Sequence, residues 1–187
     1  MAHPYRIPLY SIALFLGLSS FTSRNSRYGA FGAVKAGRER LMAVAQSFVG
    51  VCEATGKNDG VQVGKFQATT GNRSGEHWCS SFAASCYVLA GLTVPAKVNG
   101  AARSFFAPAT RIYDNSRFRT PGVVGLPGDM VGYIYPGSPL IHHVGFQKGP
   151  WGRAATVYTL EGNVQNCVKV LMRPKRSIAA ISRHLPI

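Results

Sequence analysis

A thiol at the start of a helix and an imidazole in a strand are the side chains of this sequence best suited to covalent chemistry on an amide. Cys79 follows the polar loop Thr70–Glu76 (TGNRSGE) and opens the apolar run CSSFAASCYVLAG. A thiol at a helix N-terminus lies among unsatisfied N–H groups at the positive end of the dipole, which favours the thiolate. Such a thiolate is a nucleophile, and the N–H of its own residue is placed to hold an oxyanion. It needs a base that later protonates the leaving amine, which imidazole does near neutral pH. Of the five histidines, His3 and His184 lie near the chain ends, and His77 is too local to approach Cys79 from across a cleft. His142 and His143 share the run IHHVGFQ. Neighbours on a strand face opposite sides, so one of them can point at the helix start while the other points away. Glu161, in TLEGN, closes the next apolar run, where a carboxylate can orient an imidazole.

The other cysteines read more plainly. Cys52, Cys79, Cys86 and Cys167 contain no C-x-x-C pair, which excludes zinc-finger and thioredoxin chemistry on spacing. Cys86 lies seven residues after Cys79 on the same helical face and reads as a small buried apolar residue. Cys52 at a helix end and Cys167 in a strand read the same way, a Cys52–Cys167 bridge being the alternative.

The elements that must position these groups change character along the chain. Arg38–Val51 places Leu41, Val44, Ala45, Phe48 and Val51 at helical spacing. Gly56–Gly60 (GKNDG) is a turn by composition, a short helix follows from Val61 to about Thr69, and a third runs from Cys79 to Gly91. Ala101–Ala107 adds a helical turn or two. Beyond that point the period becomes that of strands: Asp129–Tyr135, Ile141–Gln147, Thr156–Glu161 and Cys167–Met172 are short runs split by Pro, Gly and Asn. Helices first and antiparallel strands after give an α+β class.

Composition bounds the rest. The chain has 187 residues, one ordinary domain with a little over, and 46% apolar residues, which excludes wholesale disorder. Twenty-one Lys and Arg against seven Asp and Glu give +14, so a carboxylate-rich calcium cage is excluded and an anionic partner is expected. Ile7–Phe21 holds fifteen uncharged residues, short of the roughly 20 a membrane span needs and suited to the apolar centre of a secretory signal. The expected division is therefore a leader over 1–23, a Ser-, Arg- and Gly-rich linker over 24–37, and a catalytic domain over 38–187. A buried N-terminal element is the alternative for the leader.

The motifs carry a likeness. GKNDG, WCSSFAASCYVLAG, LPGDMV at Leu126–Val131, HHVGF at His142–Phe146 and TLEGN at Thr159–Asn163 together resemble the CHAP class of cysteine, histidine-dependent amidohydrolases and peptidases. The resemblance covers about Arg38 to Ile181. It implies a papain-like α+β fold, with N-terminal helices carrying the nucleophile packed on an antiparallel sheet carrying His and Glu. It implies peptidoglycan cleavage, as an N-acetylmuramoyl-L-alanine amidase or a crosslink endopeptidase. Cys79 matches the nucleophile and His143, directly before Val-Gly, the base. Glu161 and Asn163 match positions that orient the histidine or assist the oxyanion, and Asp129 matches a structural Pro-Gly-Asp turn. Asn58, His77 and Trp78 flank the nucleophile as the expected substrate-binding residues. Some members bind calcium in a loop ahead of the cysteine. Here that loop has one acid, so neither a metal nor any other cofactor is expected.

The expected partners are peptidoglycan and anionic wall polymers, met by an exported monomer in the periplasm, wall or medium, or by a phage lysin. No specific nucleic acid and no stable membrane span are expected. Two other readings compete. One is a basic polyanion- or nucleic-acid-binding module, since Tyr113, Phe118 and Trp151 lie near Arg111, Arg117, Arg119 and Arg153, although no basic run of five or more occurs. The other is an inactive wall-binding domain on the same fold.

Overall fold

The computed structural model describes residues 21–115 and 125–187. Three helices, α1 (Phe21–Ser47), α2 (Val61–Thr69) and α3 (Cys79–Leu89), precede a six-stranded antiparallel sheet. Its strands are β1 (Arg111–Asp114), β2 (Met130–Ile134), β3 (Ile141–Gln147), β4 (Thr156–Val164), β5 (Cys167–Pro174) and β6 (Ala180–Ser182), in the spatial order β1-β6-β2-β3-β4-β5. The α+β class expected from the change of period is therefore observed. A 3-10 turn over Ala102–Phe105 occupies the segment read as a helical turn or two.

Period decides where the core lies. In α1, Leu41 and Ala45 are fully buried, and just beyond its end Phe48 meets Phe66 of α2 and Phe82 of α3 edge-on. Helix α3 packs on β3 and β4, where Val144, Phe146 and Leu160 complete this cluster. Alternate strand residues point the other way. Val131, Tyr133 and Val157 form a second cluster with Ile178 and Ile181.

Two expectations change. Residues 24–37, expected as a linker, are helical, and α1 begins at Phe21. Their Arg and Ala content supplies helix propensity that the Ser and Gly content concealed. Arg38 also anchors the helix, donating to the Pro127 carbonyl at 2.9 Å and to Asp129 at 3.0 Å. Residues 1–20 of the expected leader lie outside the described residues. Among the described residues, no helix is long and apolar enough to cross a membrane. Cys52 and Cys167, read first as buried apolar residues with a bridge as the alternative, form that disulfide. It sits on an antiparallel bridge between the loop after α1 and the start of β5.

Asp129 is fully buried and holds the Leu126–Asp129 turn. Its carboxylate accepts from the Leu126 N–H at 2.9 Å and from the Arg38 and Arg183 guanidinium groups. One acid thus fastens α1, the turn before β2 and the C-terminal segment.

Candidate active site

The first residue of α3 is Cys79, and its neighbour at the helix cap is Trp78. First-turn N–H groups of a helix have no acceptor within the helix, so they remain free to receive a developing negative charge. Cys79 is 5% exposed, and it lies near enough to His143 on β3 to help raise the pKa of that imidazole. The imidazole Nε2 of His143 lies 2.8 Å from Glu161 Oε2 on β4. Cys79, His143 and Glu161 are therefore brought together in the fold.

The doubled histidine resolves by strand alternation. His143 faces inward and pairs across the ladder with Tyr133 of β2. His142 faces out, stacks on Tyr135 at 5.2 Å between centroids, and places its Nε2 2.6 Å from Ser138 Oγ. Only His143 reaches the carboxylate.

Glu161 is fully buried and surrounded by donors. The Thr159 hydroxyl donates to Oε1 at 2.6 Å and the Tyr133 hydroxyl to the same oxygen at 3.0 Å. Arg173 of β5 donates from Nε to Oε1 at 2.9 Å and from Nη2 to Oε2 at 2.7 Å. Burial would raise the pKa of this carboxyl, but the bonds from His143 and Arg173 outweigh it and hold it at about 2. Burial would likewise lower that of His143, yet its bonds to Cys79 and Glu161 push it up to about 9. Burial first, and then the Glu161 charge, push the Tyr133 hydroxyl well above its ordinary range, so it remains a donor. The raised pKa of His143 favours the protonated ring beside the Glu161 carboxylate.

Two glycines of the motifs make room for this arrangement. A Cβ at Gly145 would lie 2.4 Å from Glu161 Cγ, and one at Gly162 would lie 2.7 Å from Phe82 Cβ. Neither space can take a methyl group without moving Glu161 or α3.

Asn163 sits elsewhere than expected. A bulge interrupts the β4–β5 ladder between Glu161 and Val164, and Asn163 takes the left-handed conformation with φ 60°. Its amide consequently turns to the loop before α2 rather than to His143. The orientation that satisfies both ends places Oδ1 3.1 Å from the Trp78 N–H and Nδ2 3.2 Å from Glu53 Oε1. It braces the helix cap at Trp78, while its edge lines the cleft beside His143.

The three expected substrate contacts divide. Trp78 is fully buried, stacked on Phe66, with its indole N–H donating to Glu53 Oε1 at 2.8 Å. The large apolar ring belongs to the core, and it cannot line a binding surface. Asn58 is half-buried, with its N–H on Glu53 Oε2 and its side chain on the Gly75 carbonyl. His77 is exposed, two residues before Cys79. Gln67 ties both flanking loops together, donating to the carbonyls of Asn58 and Glu76.

Sequence reasoning missed Tyr133, Thr159 and Arg173 around Glu161, and Glu53 beneath Trp78. Thr159 stands two residues before Glu161 on the same face, a spacing that could have marked it. Arg173 had no local signal, because only the β4–β5 pairing brings it there. Glu53 could have been found by following each of the scarce acids.

Beside His143 opens a cleft of about 380 Å³, lined among others by Tyr133, Tyr135, Asn163 and Arg173. Among the described residues, no three His, Cys, Asp or Glu side chains gather where they could hold a metal ion. The basic aromatic cluster weighed above is partly used in packing: Tyr113 and Trp151 lie 6.0 Å apart, with the Lys175 ammonium 4.7 Å over Trp151. Arg111 is turned onto Asp114 and the Phe106 carbonyl. Arg117, Phe118 and Arg119 lie outside the described residues. Compared with family models, curated proteins and solved structures, the chain finds no match in any of the three.

Proposed function

We propose that this protein is a papain-like cysteine amidohydrolase of the CHAP type, cleaving an amide bond of the cell-wall peptide through a thioester. The observation that carries the reading is the chain Cys79–His143–Glu161, with the thiol at a helix start and the carboxylate fully buried. The Cys79 sulfur attacks the amide carbon, and the tetrahedral oxyanion is received by the N–H groups at the start of α3. His143 gives its proton to the leaving amine as the carbon–nitrogen bond breaks and the thioester forms. Water then loses a proton to the same imidazole as it attacks, releasing the acid and returning the sulfur and the imidazolium to their starting state. Glu161 never changes charge; it fixes the ring and stabilises the imidazolium.

The peptidoglycan substrate, cut as amidase or crosslink endopeptidase, rests on the resemblance of the motifs together with the basic character of the chain. The Cys52–Cys167 disulfide supports export to an oxidising compartment. Cys79→Ala should lower the rate of lysis of purified peptidoglycan by several orders of magnitude while the melting temperature stays within a few degrees. Lysis by the variant at the wild-type rate would sink the mechanism.

A further inference from the structure

The cleft beside His143 has a chemical character of its own. The side chains that line it include two cations, His143 and Arg173, and no acid. Glu161, the acid they share, is fully buried behind them, whereas a third of the Arg173 side chain is exposed. The Arg173–Glu161 pair therefore turns its positive end to the opening. Its two bonds to Glu161 use Nε and Nη2, and Nη1 takes no part in them. The guanidinium plane is also fixed, since Arg173 lies over the Tyr133 ring at 5.1 Å. At the rim, Lys169 reaches Gln165 at 2.6 Å, adding a further positive charge to the same edge.

We propose that this cleft is a subsite for a carboxylate carried by the substrate residue next to the scissile amide, and that Arg173 receives it. The inference rests on the amide-cleaving reading above and extends it from the bond broken to the residue beside that bond. Proximity selects the ligand: a group in a cleft that shares His143 with the nucleophile must belong to a peptide residue adjoining the reacting carbonyl. On such a residue the anionic group is a carboxylate. A pre-oriented guanidinium suits it better than a mobile ammonium would. Arg173 thereby has two functions, positioning Glu161 through one edge and selecting substrate through the other.

The test compares soluble muropeptides bearing free carboxylates with the same fragments converted to carboxamides. Binding to the Cys79→Ala protein and hydrolysis by the wild type are both measured. Wild type should process the carboxylate form about tenfold or more faster, the difference lying in KM, and Cys79→Ala should bind it more tightly by a similar factor. Arg173→Gln slows both reactions through Glu161, but its preference ratio should fall to about one, and Arg173→Lys should retain part of it. Equal handling of the two forms by wild type in both measurements overturns the subsite without any variant needing to fold. A preference left intact in Arg173→Gln assigns it to another group and overturns the role of Arg173. Carboxylate-selective binding without any hydrolysis would instead retain the subsite and overturn the amide-cleaving reading.

Discussion

At the scale of single residues, the site depends on one buried carboxylate that keeps its charge and one imidazole that keeps its proton. Glu161 is fully buried, so its charge persists only because His143, Arg173, Tyr133 and Thr159 all donate to it. Glu161→Gln removes the charge that helps to hold His143 at about 9, so the imidazole must titrate nearer its ordinary 6.5. The proton donor for the leaving amine is then lost at lower pH. In the wild type the alkaline fall in kcat should lie near pH 9, and in Glu161→Gln it should move down by one to two units. An unmoved alkaline limb would show that Glu161 does not act through His143. The same pair sets stability. The His143 contribution is complete below 6.5 and lost as pH rises to about 9, while the Glu161 contribution is complete above 4.5 and lost as pH falls to about 2. Wild type should therefore exceed the variant most between about pH 4.5 and 6.5, measured as the difference in melting temperature.

Between elements, the site is held by links across long stretches of chain. The Cys52–Cys167 disulfide spans 115 residues and joins the loop carrying Glu53 and Asn58 to the hairpin carrying Asn163. Backbone bonds reinforce it, from Gly50 N–H to the Val168 carbonyl and from Val168 N–H to that of Val51. Replacing both cysteines by Ala should cost about 2–4 kcal/mol, or about 5–15 °C in melting temperature. The Trp78 cap should loosen with it, which protease sensitivity of the loop over residues 53–60 would report. A change of less than about 1 °C would mean that the backbone bridge suffices. Local patterning made much of this fold legible. Helical spacing located Val61–Thr69 and the start of α3 at Cys79, and alternation located Ile141–Gln147. What escaped depends on pairing between distant segments. The strands Arg111–Asp114 and Ala180–Ser182 are too short to show a period, and the second enters the sheet between β1 and β2. Cys79, His143 and Glu161 could be read from their local settings, whereas Arg173 meets Glu161 only through the β4–β5 ladder.

For the whole molecule, the question is what a charge of +14 does once the acids are accounted for. Asp129 and Glu161 are fully buried, and Glu53 is spent on Trp78 and Asn58. With Asp114, buried against Arg111, four of the seven acids serve internal structure, and the field outside is dominated by Lys and Arg. Such a field attracts an anionic polymer over a range set by salt: about 10 Å at 0.1 M and 3 Å at 1 M. The chemistry proposed at Cys79 would lie in a buried site, where screening is weak. Binding to intact walls and hydrolysis of a small soluble fragment should consequently separate as salt rises. Between about 0.05 and 0.5 M sodium chloride, cosedimentation of Cys79→Ala with purified walls should weaken by about tenfold or more. Turnover of a soluble muropeptide by wild type should change by only a few-fold over the same range. Walls stripped of their anionic polymers should bind weakly at every salt concentration. Strong salt-insensitive binding to stripped walls would place wall recognition in shape and hydrogen bonding at the cleft, and would leave the basic surface without the role its charge suggests.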